Sequence, residues 1–360
     1  MKILYVSPEH ISGGLTLWRK GHRERGQECR WITFFRNQFG FEEDLCFDLA
    51  WMPVKSPIAG LRRLAHTAQN RTVETELPGN PPWWEPPNLA ADIFFHLRDT
   101  INAPRIEQTI ARYGLNDYDL YHFEQGVDPY RDSRWGNSLA RRGKGIVCFY
   151  HGSDVRNRGV ISEVHRVSHL NLTSEIDLLS RLPGMKYLFL PIDTNALKPS
   201  LRLPDGRVRI AHAARNRKLK GSDVIEAVVK RLMVKYPVDW VMIEHKTHAE
   251  ALRLKAQCDM FIDQITDLGG WGYGASSVEA LCLGLPVLTR VNQPTADFLG
   301  EHPFINVTAE NLESRLIPLI KDASLRMELG IKGRAWVIKN HGLDAVMNRL
   351  YGYYREAGMV

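Results

Sequence analysis

Gly269-Gly270-Trp271-Gly272-Tyr273-Gly274-Ala275-Ser276-Ser277-Val278-Glu279-Ala280-Leu281-Cys282-Leu283-Gly284-Leu285-Pro286 is the stretch whose reading decides the fold. Its first half is crowded with small residues, which let a backbone approach a ligand closely and leave N–H donors unobstructed. From Ser276 the pattern turns helical: Val278, Leu281 and Cys282 fall at i, i+3 and i+4, and Gly284 is the expected stop. Pro286 then opens an apolar strand over Val287–Thr289. A glycine-rich loop feeding a helix N-terminus suits an anion, because unpaired amides and the helix dipole point the same way. Glu279 reads as a first-turn acid, which that dipole favours.

Working outward, the same alternation recurs on both sides. Lys2–Ser7 is a short apolar strand, Gly13-Gly14 a turn, and Leu17 to Gly26 a helix; Arg30–Phe35 is a second strand. Strand, glycine turn, helix and strand make a βαβ unit with a right-handed crossover, hence a parallel sheet. The dinucleotide fingerprint G-x-G-x-x-G is missing after the first strand, which argues against a nicotinamide enzyme. Strands follow at Leu120–Phe123, Ile146–Tyr150, Leu170–Ser174 and Tyr187–Pro191, with a short helix at Asp177–Arg181. Ile192–Asn195 is the expected crossing into a second α/β unit. There Val208–Ala213, Asp239–Glu244, Met260–Asp263 and Pro286–Arg290 are strands, Ser222–Lys235 and His248–Gln257 helices, and Arg215–Gly221 a basic loop. Helices over Ala309–Ile320, Leu325–Asn340 and Leu343–Glu356 finish the chain.

Between Phe41 and Asn116 the pattern weakens. Helices are expected at Leu61–Gln69, Ile93–Thr100 and Arg105–Tyr113, separated by the proline-rich run Leu77–Asn88, which neither a helix nor a central strand tolerates. Trp83 and Trp84 within it read as part of a substrate-facing loop.

Composition sets the bounds. A chain of 360 residues, 44% hydrophobic and 24% charged, is long enough for two ordinary globular domains. Five scattered cysteines without a C-x-x-C pair point to a reducing compartment, and Cys148 and Cys282 sit in apolar patterns as small core residues. No apolar run is long enough to span a bilayer, and Met1–Val6 lacks the form of a leader, so a cytoplasmic protein is expected. The net charge of +6 suits phosphorylated substrates or a weak peripheral contact with an anionic membrane face. No zinc-finger spacing, RNA-recognition signature or basic repeat supports nucleic acid as a partner.

The second anchor is His212-Ala213-Ala214-Arg215-Asn216-Arg217-Lys218-Leu219-Lys220-Gly221-Ser222. Four cations follow a buried strand and end at a Gly-Ser helix start, a setting that suits a diphosphate. Two further polar clusters, His122-Phe123-Glu124-Gln125-Gly126 and His151-Gly152-Ser153-Asp154, close strands at the carboxyl edge where open α/β sheets bind ligands.

The runs Ala211-His212-Ala213, Asn216-Arg217, Lys220-Gly221, Trp271-Gly272-Tyr273-Gly274, Glu279-Ala280 and Gly284-Leu285-Pro286-Val287 together resemble the donor half of retaining nucleotide-sugar glycosyltransferases of the family 4-like group. The tail Leu325-Arg326, Leu329-Gly330, Gly333-Arg334-Ala335-Trp336 and Asn340-His341 is similar to that family's last helices, and His151-Gly152-Ser153-Asp154 to its catalytic-histidine strand. Gly13-Gly14 and Arg25-Gly26-Gln27-Glu28 resemble its acceptor domain. The likeness implies the GT-B fold: two Rossmann-like parallel-sheet domains facing a central cleft. Residues 1–190 would be the acceptor-side domain with an irregular insert over about 41–116, and residues 191–340 the donor domain. Residues 341–360 would form a helix packing back toward the first domain.

The resemblance also implies roles. Arg217 (or Arg215) and Lys220 would hold the donor diphosphate, and Glu279 the ribose hydroxyls. Amides of Gly272, Tyr273, Gly274 and Ala275 would line the sugar and phosphates, Gly14 would lie near the diphosphate, and His151 would touch the donor sugar. Trp83, Trp84 and Glu124 are the candidate acceptor residues. One departure stands out: the family's first glutamate falls on Trp271, a contact to donor sugar hydroxyls, so the donor sugar stays open.

The chemistry implied is transfer of a sugar from a UDP- or GDP-type donor, with retention, to a glycan, lipid-linked or small-molecule acceptor. Breaking the sugar–phosphate bond leaves negative charge on the diphosphate, which Arg217, Lys220 and a helix N-terminus can stabilise without a metal or cofactor. Two other readings use the same fold: a catalytically inactive nucleotide- or glycan-binding protein, and a sugar-nucleotide epimerase.

Overall fold

The computed structural model describes residues 1–10, 13–37, 40–50, 83–86, 88–199 and 205–360. The helix expected over Leu61–Gln69 and most of the run Leu77–Asn88 lie outside the described residues. The chain divides into two units, one of residues 1–188 with 349–360, the other of residues 189–348.

In the first unit seven strands run β1 (Lys2–Ser7), β2 (Glu28–Thr33), β3 (Leu45–Cys46), β4 (Leu120–Glu124), β5 (Gly145–Tyr150), β6 (Leu170–Thr173) and β7 (Lys186–Tyr187). Their order is β3-β2-β1-β4-β5-β6-β7, with every pair parallel. Strand order reverses between β1 and β4, the switch point beside which such sheets bind ligands. Gly13-Gly14 leaves β1 there, Glu124 ends β4, and His151 follows β5 next door. One core lies against the sheet, where Leu4, Ile32, Tyr121 and Ile146 meet Ile106, Ile110, Trp135 and Leu139 from flanking helices.

The two helical segments read at Ile93–Thr100 and Arg105–Tyr113 are one helix, Leu89–Tyr113, with Pro104 inside it. Pro104 is exposed, so its ring lies on the solvent side while Asn102, Ile106 and Ile110 keep the buried side continuous. Asn88 caps the start by accepting from the Ala91 amide, and Gly114 closes the end in the left-handed region.

In the second unit the strands are β8 (Val208–Ala213), β9 (Val238–Ile243), β10 (Met260–Ile262), β11 (Val287–Thr289) and β12 (Ile305–Asn306), in parallel order β12-β11-β10-β8-β9. Both faces are covered. Ile210, Ile262 and Leu288 pack under helices Ser222–Lys235 and Leu312–Lys321, whereas Ala211, Phe261 and Val287 pack under Ala275–Cys282 and Ala323–His341. Burial on both faces explains why these strands read as nearly continuous apolar runs. The switch point here falls between β8 and β10, which places the basic segment and the glycine-rich loop at one edge. The basic segment itself contains a helical turn, Arg217–Lys220, because the Asn216 side chain caps it by accepting from the Lys218 and Leu219 amides. Cys148 and Cys282 are buried free thiols. Among the described residues no helix is long and apolar enough to cross a membrane.

Candidate functional site

His212 organises the edge of the five-stranded sheet. Its Nδ1–H donates to the Ile262 carbonyl at 2.8 Å, so Nε2 must accept from the Ser222 hydroxyl at 2.7 Å. Burial pushes this imidazole down to about 4, and it is neutral at physiological pH. It therefore joins β8, β10 and the start of helix Ser222–Lys235, and turns the basic segment over the carboxyl ends of the strands.

Asp263, buried directly after β10, ties the two anchors together. Its Oδ1 pairs with the Lys220 ammonium, and its Oδ2 accepts the Ser277 hydroxyl at 2.6 Å and the Gly274 amide at 3.5 Å. Burial would raise this carboxyl, but the Lys220 charge and the Ser277 hydroxyl outweigh it and hold it below its usual range. Lys220 is thereby fixed beside the N-terminus of helix Ala275–Cys282, whose cap residue Gly274 brings no side chain and leaves space for a Cβ unfilled. By position in the helix the amides of Ala275 and Ser276 have no intrahelical acceptor.

Glu279 is the fifth residue of that helix, one residue further in than the sequence pattern placed it and just past the first turn. Its Oε2 lies 2.5 Å from Lys255 Nζ and its Oε1 2.7 Å from His248 Nε2. Burial works to raise it, and His248 and Lys255 overcome burial, so it is held ionised.

Arg217 is occupied differently from the diphosphate role read for it. Its Nε donates to Asp223 at 2.8 Å, one Nη to Glu226 at 2.6 Å, and the other reaches Glu244 at 3.3 Å. Arg215 is exposed at the strand's end. Trp271 is half-buried and belongs to neither hydrophobic cluster of this unit. Gly272 has φ +81°, and a Cβ there would meet Thr295 Cγ2 at 2.7 Å, so only glycine fits this turn. The Tyr273 side chain is a packing element: it stacks on Phe304 at 4.4 Å between centroids and its hydroxyl meets His341 Nε2 at 3.0 Å. Only its backbone is left to face a ligand.

In the first unit the structure joins two residues that the sequence left apart. His151 Nε2 lies 3.0 Å from Glu124 Oε2, and the His151 amide donates to Asp154 Oδ2 at 2.8 Å. Burial alone would lower this imidazole; the Glu124 hydrogen bond and charge reverse that and raise it to about 9. At neutral pH His151 is an imidazolium, a donor and not a base. Glu124 is correspondingly a buried partner of His151 through Oε2, while its Oε1 has no hydrogen-bond partner among the described residues. Asp154 opens a π-helical turn, Asp154–Arg158, whose Arg156 is forked onto Asp177 at 2.6 and 2.7 Å. Gly14 begins helix Gly14–Arg23 beyond β1, with open space where a side chain would be. Trp84 packs on the core, with its amide on the Val160 carbonyl at 2.8 Å and the Arg131 guanidinium 4.4 Å over its ring. Trp83 is exposed, edge-on to His165 at 5.5 Å.

Sequence reading named Lys220, Glu279, Gly272, Gly274 and His151 as candidates and gave no role to the groups bonded to Lys220, Glu279, Gly274 and His151 in the structure: Asp263, Lys255, His248 and Glu124 as a histidine partner. Asp263 could have been found as an acid at a strand's carboxyl end facing a basic loop. Lys255 carries no such signal, ending an ordinary helix. Among the described residues no group of three or more His, Cys, Asp or Glu side chains is arranged to hold a metal ion.

No family model and no curated protein sequence matches the chain. Solved structures do. HepE of Anabaena, crystallised with UDP-glucose, superposes with a TM-score of 0.58 at 13% identity over 99% of this chain and 100% of that one. A glycosyltransferase of Rickettsia africae gives 0.58 at 11% identity over 99% and 98%. Trehalose-6-phosphate synthase OtsA gives 0.60 at 11% identity over 100% of this chain and 99% of that one. At such identities the likeness is one of fold, and with two parallel-sheet α/β units of seven and five strands the chain has the GT-B fold.

Proposed function

We propose that the protein is a glycosyltransferase that moves a sugar from a UDP- or GDP-type nucleotide donor to an acceptor hydroxyl with retention of configuration. The observation that carries this reading is the single buried carboxylate of Asp263, which sets the Lys220 ammonium beside the open N-terminus of helix Ala275–Cys282. An ammonium and free amides converging at a sheet's switch point form a fixed positive field for a diphosphate. HepE and OtsA, which share the fold, are described with UDP-glucose and as a trehalose-6-phosphate synthase, and the donor class is taken from that company.

In the reaction the bond between the anomeric carbon and the diphosphate oxygen breaks, and the acceptor oxygen bonds to that carbon. The acceptor's proton departs with the diphosphate. Lys220 and the amides of Ala275 and Ser276 would take up the charge developing on the leaving group, so we assign the chemistry no metal. Glu279 would accept from ribose hydroxyls. His151, charged at neutral pH, would donate a hydrogen bond to a sugar oxygen, while the glycan, lipid-linked or small-molecule acceptor is assigned to the seven-stranded unit.

Incubation with UDP-, GDP- and ADP-sugars tests this, with the released diphosphate and the anomer formed followed by NMR, with and without EDTA. Transfer that persists in EDTA and keeps the donor's configuration is expected. An inverted product or full loss in EDTA restored by Mn²⁺ overturns the finer assignment. Arg217, whose donors are committed to Asp223, Glu226 and Glu244, favours one second reading, a nucleotide-binding protein without turnover. Binding of a donor with neither transfer nor slow hydrolysis would establish that reading, and change of the bare donor sugar would indicate an epimerase.

A further inference from the structure

We propose that Lys255 and His248 are positioning residues that fix Glu279 as a two-point acceptor for the vicinal hydroxyls of a ribose, and so set a preference for ribonucleotides over 2′-deoxyribonucleotides. The inference rests on the nucleotide-sugar reading above. Lys255 is only 1% exposed, and a lysine is almost never buried without a partner. Its ammonium reaches Glu279 Oε2 at 2.5 Å, Ser276 Oγ at 2.8 Å and the Ser276 carbonyl at 3.5 Å, which accounts for three donors. The Phe261 ring lies 5.2 Å from the same nitrogen and closes its apolar side. On the other edge of the carboxylate, His248 Nε2 sits 2.7 Å from Oε1.

An ionised carboxylate offers about four lone-pair sites, two on each oxygen. Here each oxygen is taken once, by opposite ends of one helix: Lys255 ends helix His248–Lys255 and His248 begins it. One site on each oxygen is left over, a pair matched to the two oxygens of a vicinal diol. The Glu279 side chain keeps 14% exposure, so the carboxylate is gripped without being sealed. A free glutamate would have to give up rotamer freedom on binding; one gripped from both sides has already done so. Burying an ammonium is costly, and a structural pair could be replaced by apolar packing. The grip on a group at the site's edge gives that charge a use.

The test measures binding of UDP, GDP and ADP, of their 2′-deoxy forms and of inorganic pyrophosphate by calorimetry, with melting temperatures alongside, for wild type, Lys255→Met and His248→Ala. Wild type should prefer the ribonucleotide by about tenfold, the worth of one hydrogen bond to a charged group. Lys255→Met should bring the two forms within about twofold of each other while pyrophosphate binding, which depends on Lys220 and the amides, is unchanged. A wild type indifferent to the 2′-hydroxyl overturns the proposal. So does a Lys255→Met protein that binds pyrophosphate and both nucleotides equally more weakly with the preference intact, because that is a fold effect. If Lys255→Met does not fold, His248→Ala decides: a reduced preference supports the clamp and an unchanged one overturns it. Failure of the nucleotide reading itself is recognised separately, as absence of binding by any nucleoside diphosphate to wild type.

Discussion

Lys220 and Arg217 stand three residues apart, yet they meet their counter-charges on different terms. Lys220 shares one carboxylate, Asp263, with the helix amide that would also face the ligand, so its charge stays directed at that spot. Arg217 spends its guanidinium on three carboxylates. A diphosphate would have to compete with those carboxylates for Arg217 and not for Lys220. Lys220→Ala should therefore weaken nucleoside-diphosphate binding by about tenfold or more, from charge-assisted bonds of about 1.5–3 kcal/mol, and Arg217→Ala by clearly less. Calorimetry on both variants checks the order, and a larger loss from Arg217→Ala would reverse the assignment. Trp271 makes a second residue-scale prediction. Half-buried and outside the hydrophobic clusters described for its unit, it should take Trp271→Glu without unfolding, at the small end of the roughly 0.5–3 kcal/mol usual for single substitutions. A donor panel should then show a changed ranking of sugars at a nearly constant melting temperature. A large drop in melting temperature would mean that the indole holds structure.

At the scale of elements, legibility followed periodicity. β1, β8 and helix Ser222–Lys235 were read to the residue because apolar spacing and turn residues agree there. Helix Leu89–Tyr113 was read as two because its pattern weakens across Pro104, whose compatibility depends on which side faces solvent, a tertiary fact. The turn Arg217–Lys220 was read as loop because four residues give no period; only the Asn216 cap declares it. Pairings such as His151 with Glu124 join different strands and leave no local trace. Glycines show the same division between local and tertiary information. Gly330, inside helix Ala323–His341, looks like a weak point in the sequence, yet a Cβ there would lie 2.0 Å from the Gly284 carbonyl oxygen, so this backbone passes directly over the turn that ends helix Ala275–Cys282. Gly352, in helix Leu343–Glu356, has nothing within 4 Å. Gly330→Ala should cost at least about 1–3 kcal/mol, as overpacking does, whereas Gly352→Ala should be neutral or stabilising by up to about 1 kcal/mol. Urea melts of the two proteins should diverge in opposite directions; similar midpoints would show that helix Ala323–His341 gives way freely.

On the scale of the whole molecule, its histidines set how stability varies with pH. His22, between the Tyr5 and Tyr351 hydroxyls, is pushed down to about 3 by burial and by Arg25. His122, stacked on Tyr5 and bonded to Tyr354 at 2.5 Å, is lowered well below its usual value by burial, then by His22. His212 is held at about 4 in the other unit, and burial lowers His165 and His302 as well. The unfolded chain takes up protons at all of these near pH 6.5 while the folded chain refuses them, so their contribution is present above that pH and lost as pH falls. Asp128 works the other way: burial raises it to about 7, so between its unfolded value and 7 the folded state holds the extra proton and stability falls as pH rises. His151, raised to about 9, contributes stability that is complete below the unfolded histidine value and is lost as pH climbs toward 9. Counting His22, His122 and His212 against Asp128, the unfolded state binds about two more protons between roughly pH 6 and 5, a slope of about 2.7 kcal/mol per pH unit. His165 and His302 steepen it. Stability should therefore peak near pH 6.5 to 7, fall steeply toward pH 5 before the carboxylates titrate, and decline more gently toward pH 9. Denaturant melts across this range check it, and His22→Gln should flatten the acid limb by about 1.4 kcal/mol per pH unit. A stability that holds level or rises between pH 6.5 and 5 would mean that these imidazoles take up protons in the folded state, and that the tyrosine contacts around His22 and His122 open to let them.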